Sequence, residues 1–316
     1  MKYLLLLAIM MSVSPAFAAD DYAFILKGRG NVFWKVIDQG VRETAAKNDI
    51  NVLVYNTDDD QRPEAQLAIC ETVIERAPKV IVLGAATKAV GIECYKKAHA
   101  AGIIVADIDG NVTMDDAKAA GVPLAFSVGS DNVKIGRRAA RYVAQNLDRS
   151  DPKILIIEGL PGSIVSDNRR DGFVDVLREK VPQARIVASL AGNWDRQAAM
   201  TITTDTLTRV PDLDVIYSVS DVMTMGVVEA VRVAGKSGQI TIVSVDGIAD
   251  ARKAVRGRRI AADVAQLPYL MGKRAVELAQ DAAAGKVTGV TEYVPTPLLT
   301  KPALEMENNK ELKYVR

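Results

Sequence analysis

Residues 22–56 read YAFILKGRGNVFWKVIDQGVRETAAKNDINVLVYN. Tyr22 to Lys27 is apolar almost throughout, Phe33 to Lys47 carries its apolar residues at helical spacing, and Ile50 to Asn56 is again rich in β-branched residues. A strand that reads as a nearly continuous apolar run is one covered on both faces. A strand, an amphipathic segment and a second such strand make a parallel βα unit.

The same alternation extends outward in the chain. Strands are expected at Lys79 to Ala85, Ile103 to Asp109 and Leu124 to Gly129, with helices at Pro63 to Ala77 and Val90 to Ala101, the last stopped by Gly102. The pattern restarts with strands at Lys153 to Gly159, Ile186 to Leu190, Val215 to Ser220, Ile240 to Asp246 and Ile260 to Gln266. Helices are expected to begin near Ser166, Asp195, Asp221, Ala249 and Tyr269, several with Ser or Asp as N-cap. The final helix, to Gly285, precedes a strand at Thr291 to Thr300 whose Pro295 and Pro297 disfavour a central position, so that segment reads as a crossover. The fold class is therefore α/β, with two doubly wound parallel-sheet domains. No low-complexity linker separates them, so the two halves are expected to be interleaved in sequence.

Lys2, the apolar run Tyr3 to Val13 and the small residues of Ala16-Phe17-Ala18 form an export signal over residues 1–18, with the mature chain starting near Ala19. The apolar run is shorter than the roughly 20 residues that span a bilayer, so no membrane embedding is expected. The 40 basic residues against 39 acidic ones become balanced once Lys2 is removed, which gives no reason to expect nucleic acid. Cys70 and Cys94 are the only cysteines, each within an expected helix. An oxidising compartment permits a disulfide between them, and two buried thiols are the alternative.

In open α/β sheets ligands bind beyond the carboxyl ends of the strands. Lys27, Asp109, Asp246 and Gln266 stand at such ends, with Asn31, Phe33, Trp34, Arg169 and Trp194 close to others. Sugars present hydroxyl edges and weakly apolar C–H faces, so they require charged hydrogen-bonding partners around the ring and aromatic surfaces above and below it. Two carboxylates, four donors and three aromatic rings supply that set. Aromatics are only 5% of the chain, which gives the tryptophans added weight.

Ala23 to Trp34 (AFILKGRGNVFW), Arg169 to Gly172, Asn193 to Arg196 (NWDR), Val245 to Ile248 (VDGI) and Ala265 to Pro268 (AQLP) occur together and in order. By these motifs the chain resembles the periplasmic sugar-binding proteins of ABC transporters, ribose-binding group, and its D-allose-binding branch in particular. The resemblance spans essentially the whole mature chain. It implies a type I periplasmic binding protein whose two lobes are joined by a three-segment hinge, crossing at Ser130, at Gln266 and near Val294. One lobe would then comprise 19–129 and 267–293, the other 130–266 and 294–316. It further implies that Asn31, Phe33, Trp34 and Asp109 serve from the first lobe and Arg169, Trp194, Asp246 and Gln266 from the second, with Lys27 matching an allose-type lysine. Partners would be a monosaccharide or polyol, an ABC permease with its ATPase and, as an alternative role, a chemoreceptor. Two departures bear on specificity. Ser220 stands before Asp221 where relatives place asparagine, and Gly110 follows Asp109 where the ribose pattern has arginine.

Other chemistries find less support. Gly28 and Gly30 do not complete a dinucleotide-binding G-x-G-x-x-G, because Phe33 occupies the third position. Gly159-Leu160-Pro161-Gly162 lacks the Lys-Ser/Thr of a phosphate loop, and Asp58-Asp59-Asp60 lacks the ligand spacing of a calcium loop. His99 is the only histidine, so neither an imidazole-based triad nor a clustered metal site is expected, and no cofactor is implied. Asp109 and Asp246 could serve as a glycosidase acid/base pair, but holding a ligand is the more economical role. A leader in place of a helix-turn-helix disfavours a LacI-type regulator. Arg29 and Asp107 add charges that the pattern leaves unplaced.

Overall fold

The computed structural model describes residues 22–58 and 62–306. The leader read over residues 1–18 lies outside the described residues, as do Asp59 and Asp60 of the acidic run, whereas Asp58 is exposed. The elements in order are β1 (Tyr22–Leu26), α1 (Val32–Lys47), β2 (Val52–Asn56), α2 (Pro63–Ile74), β3 (Val80–Leu83), α3 (Lys88–Ala100), β4 (Ile104–Ile108), α4 (Met114–Ala119), β5 (Phe126–Gly129) and α5 (Asn132–Asn146). They continue with β6 (Lys153–Glu158), α6 (Ile164–Lys180), β7 (Arg185–Ala191), α7 (Arg196–Arg209), β8 (Val215–Ser218), α8 (Asp221–Val233), β9 (Thr241–Asp246), α9 (Ala249–Arg256), β10 (Ala262–Ala265), α10 (Pro268–Ala283), β11 (Val290–Tyr293), β12 (Leu298–Leu299) and α11 (Lys301–Glu305).

These strands form two six-stranded sheets, ordered β11-β5-β4-β3-β1-β2 and β12-β10-β9-β8-β6-β7. The first is parallel throughout, and the second is parallel except where β12 runs against β10. Alternation explains why the strands read as solid apolar runs. In β1, Tyr22, Phe24 and Leu26 pack under Ile37 and Val41 of α1 and Met271 and Ala275 of α10. Ala23 and Ile25 face the opposite way, toward Cys70, Val73, Cys94 and Tyr95 of α2 and α3. The second sheet has its own core, which includes Ile154 to Ile157, Phe173, Tyr217 and Val243. Within it, the rings of Phe173 and Tyr217 stack at 4.2 Å.

The chain passes between the sheets more than once. After β5 it enters the second sheet's set through α5, which packs on α6, and after β10 it returns through α10, which packs on α1. The expected single strand from Thr291 to Thr300 is two short strands instead. Β11 joins the first sheet and β12 the second, with Val294 to Pro297 strung between them. The prolines fall in that gap, where no ladder needs their missing N–H. The structure differs from the sequence reading at further points. Helix α6 starts at Ile164, two residues before the expected Ser166, with Ser163 in the N-cap position, and Ser166 Oγ accepts from Gly159 N at 2.8 Å. Helices α4, α5 and α11 have no counterpart among the expected elements, and α4 is capped by Thr113 accepting from Asp116 N at 3.0 Å. Cys70 and Cys94 form a disulfide with Cα atoms 6.0 Å apart, joining α2 to α3. His99 lies on the exposed side of α3.

Candidate binding site

In each sheet the first strand of its set lies between neighbours reached in opposite directions along the chain, so the loops diverge there and leave a crevice. The two crevices face one another. Lys27 leaves β1 buried, with Nζ 3.0 Å from Asp109 Oδ2 and 4.7 Å from the Trp34 ring centroid. Asn31 is the N-cap of α1, accepting from Phe33 N at 3.0 Å, which places both rings of the first turn beside the pocket. Phe33 and Trp34 meet edge to face at 5.3 Å. Each also belongs to the core under α1, so core member and pocket wall are one role here.

Asp109 sits just past β4 with φ at +83°, a conformation uncommon outside glycine. What holds this turn is Asp107, the charge that the sequence left unplaced. Its carboxylate accepts from Gly110 N at 2.8 Å, Ser127 Oγ at 3.0 Å and the Tyr95 hydroxyl at 3.3 Å. Burial pushes Asp107 up to about 7, outweighing the lowering effect of the Ser127 and Gly110 bonds.

On the second sheet Arg169 is fixed at three points. Nε donates to Asn132 Oδ1 at 2.8 Å, and Nη1 donates to Val219 O at 2.8 Å and to Asp246 Oδ1 at 3.5 Å. The approach of α6 to α5 that allows this depends on glycine: a Cβ on Gly172 would lie 2.3 Å from Val133 O. Asp246 ends β9 at φ +123° and also accepts from Gln266 Nε2 at 2.7 Å and Asp221 N at 3.2 Å. Burial raises Asp246 to about 6, against the opposing pull of Arg169 and Gln266. Beneath it lie two more buried carboxyls, Asp221, raised by burial and by Asp263, and Asp263, pushed up to about 7 by burial and by Asp246. Ser244 Oγ is bonded to Asp221.

Trp194 follows β7 at φ +59°, next to Asn193 at +56° and just before Asp195, which caps α7 by accepting from Ala198 N at 2.7 Å. All ten side chains selected from the sequence, Lys27, Asn31, Phe33, Trp34, Asp109, Arg169, Trp194, Ser220, Asp246 and Gln266, line one pocket. Val165, near the start of α6, is an eleventh that the sequence reading missed. Arg29 is exposed and is not part of the lining. Within the pocket the cations Lys27 and Arg169 balance the carboxylates Asp109 and Asp246. Among the described residues six buried side-chain polar atoms have no hydrogen-bond partner, and two of them, Ser220 Oγ and Gln266 Oε1, belong to residues that line the pocket. Buried polar atoms are seldom left so in a finished site. The cavity thus offers a neutral charge balance, uncommitted polar atoms and aromatic walls contributed from both sheets.

A family model described as a periplasmic binding protein domain matches residues 22–287. The chain belongs to the periplasmic binding protein family. As a periplasmic binding protein it is 33% identical over 283 residues to the D-allose-binding periplasmic protein of Escherichia coli K12, covering 89% of this chain and 90% of that one. It is 27% identical over 271 residues to the ribose import binding protein RbsB of Bacillus subtilis 168, covering 86% and 84%. Among solved structures, an ABC transporter periplasmic solute-binding protein of Actinobacillus succinogenes 130z, with bound D-allose, superposes with a TM-score of 0.82 at 28% identity, covering 90% of this chain and 98% of that one. The doubly wound two-sheet architecture of this family is the one expected from the alternation that begins at Tyr22.

Among the described residues no helix is long and apolar enough to cross a membrane.

Proposed function

We propose that this protein captures a neutral monosaccharide or similar polyol in the periplasm, after export on residues 1–18, and delivers it chemically unchanged to the permease of an ABC importer. The observation that carries the reading is the pocket: balanced charge, unpaired Ser220 Oγ and Gln266 Oε1, and aromatic rings contributed from two separate sheets. A cationic or anionic ligand would upset the charge balance of this buried site, whereas hydroxyls donate to Asp109 and Asp246 and accept from Lys27 and Arg169.

The two lobes are residues 19–129 with 267–293, and 130–266 with 294–316. Each sheet with its helices moves as a unit about the crossovers at Ser130, Gln266 and Val294. A ligand touching both lobes favours their closed arrangement, because only there does it make all its contacts. Relatives are named for D-allose and ribose, and the superposed structure holds D-allose. D-allose is therefore the first ligand to test. Gly110, which follows Asp109 where the ribose pattern has arginine, does not line this pocket, so the donor missing from its side chain is missing from the site.

A thermal-shift screen of the mature protein against pentoses, hexoses, branched sugars and polyols tests the proposal, since a ligand that binds only the native state raises its melting temperature. Saturable stabilisation by one neutral sugar or polyol is expected. No shift with any of them, or turnover of a glycoside, would overturn the reading.

A further inference from the structure

We propose that Asn111, which does not line the pocket, is a positioning residue that builds one pocket wall from across the cleft. It caps helix α6 of the opposite lobe and thereby seats Val165. This rests on the sugar-capture reading above and adds a residue to it.

Asn111 follows Asp109 and Gly110 and is fully buried. Its Nδ2 donates to Ala85 O, in its own lobe, at 2.7 Å. A carbonyl partner requires the amide nitrogen on that side, so Oδ1 is turned outward as an acceptor. There it accepts from Ser163 Oγ at 2.9 Å and from Val165 N at 3.3 Å, both of the other lobe.

The recipient is a helix end that is otherwise uncapped. Ser163 occupies the N-cap position of α6, yet its side chain makes no capping bond to its own helix. Its hydroxyl donates to Asn111 instead. The orphan N–H of Val165, in the first turn, is the group a cap normally satisfies, and here the acceptor comes from the other lobe. Val165 is 3% exposed and lines the pocket. Arg169 lies one turn further along the same helix, so the setting of this first turn also bears on the guanidinium that meets Asp246.

This arrangement exists only while the lobes are together. Asn111 therefore links the turn that presents Asp109 in one lobe to the helix that presents Val165 and Arg169 in the other, and opening of the cleft would break its bonds to that helix.

The test measures D-allose affinity by calorimetry and dissociation by stopped-flow tryptophan fluorescence, together with ligand-free melting, for wild type, Asn111→Ala, Asn111→Asp and Ser163→Ala. Asn111→Ala removes both cross-cleft bonds and should raise Kd about tenfold, mainly through faster dissociation. Asn111→Asp keeps an acceptor at the α6 N-terminus, where a carboxylate is favoured, but while ionised it cannot donate to Ala85 O and sets an oxygen against that carbonyl. It should recover most of the affinity while carrying whatever melting penalty the lost Ala85 bond imposes. Ser163→Ala leaves the Ala85 bond intact and should speed dissociation about threefold. If the Ala and Asp variants at 111 are equally impaired, Asn111 serves only its own lobe and the proposal is overturned. Unchanged dissociation in both Asn111→Ala and Ser163→Ala overturns it as well. If wild type does not bind D-allose, the same measurements use the sugar or polyol that stabilises it in the thermal-shift screen, and if none binds, the sugar-capture reading falls and this inference with it.

Discussion

Trp194 lies so close over Gly159 that a Cβ added to the glycine would fall 2.1 Å from the indole. Gly159 is the residue after β6, and its φ is not in the left-handed region, so the backbone would accept alanine. What alanine would not permit is the indole's present position. Gly84, after β3, stands in the same relation to Trp34, at 2.7 Å. Each tryptophan wall of the pocket is thus seated on a glycine at a strand end, and the missing side chain is part of the site.

Gly159→Ala should therefore push the Trp194 ring out of place and weaken sugar binding by about tenfold. Overpacking of this kind costs roughly 1–3 kcal/mol. Calorimetry reads the affinity, and the tryptophan quench on ligand addition should shrink in parallel. An alanine variant with wild-type affinity and quench would show that the ring is not a wall of the site.

Asp246 joins Arg169, Gln266 and the Asp221 amide in a buried cluster at the pocket wall. Asp246→Ala leaves the Arg169 charge short of a partner and removes an acceptor for ligand hydroxyls. Loss of one member of a buried charged pair costs about 3–5 kcal/mol. The variant is expected to unfold at lower urea concentration and to bind its sugar at least about thirtyfold more weakly, about 2 kcal/mol by the upper range for charge-assisted bonds. Retained affinity in a folded variant would remove Asp246 from the site.

The Cys70–Cys94 bond joins α2 to α3 on the face of the first sheet away from α1, and none of its neighbours lines the pocket. Closing a loop across 24 residues stabilises by about 3 kcal/mol, if the effect is chiefly on the unfolded chain. Replacing both cysteines by alanine should lower unfolding stability by that order while leaving sugar affinity within about twofold of wild type. Chemical denaturation and calorimetry on the same sample separate the two effects. A large loss of affinity would mean that the crosslink shapes the site.

The site was legible in the sequence wherever a chemically distinctive side chain ended a strand run or opened a helix. Asp109, Asp246 and Gln266 close apolar runs, while Asn31 and Trp194 sit where caps are expected. Val165 and Asn111 carried no such mark. A valine in an amphipathic segment resembles any core valine, and an asparagine two residues past a strand resembles any turn former. Their roles arise from the docking of two segments more than fifty residues apart, which local periodicity does not encode. Asp107 was visible only as a charge interrupting an apolar run, because its partners Tyr95, Gly110 and Ser127 come together only when β4, α3 and β5 pack. The stretch from Thr291 to Thr300 failed as a single strand for a related reason. Propensity marks it as extended but does not say that its two ends belong to different sheets.

Asp107 and Asp263 are both fully buried and both pushed up to about 7. In the unfolded chain such carboxyls ionise near 3.9. Between about pH 4 and pH 7 the folded protein therefore holds protons that the unfolded chain has released, so these groups make stability fall as pH rises through that window. The slope is at most about 1.4 kcal/mol per pH unit for each group. Their stabilising contribution is complete below about pH 4 and is gone above pH 7. Asp263→Asn removes one titrating group and replaces a carboxylate that repels Asp221 with a neutral amide of nearly the same shape. Urea unfolding at pH 4, 6 and 8 should show the variant close to wild type at pH 4 and progressively more stable than wild type toward pH 8. Parallel stability curves for the two proteins would mean that Asp263 does not hold its proton in the fold over this range.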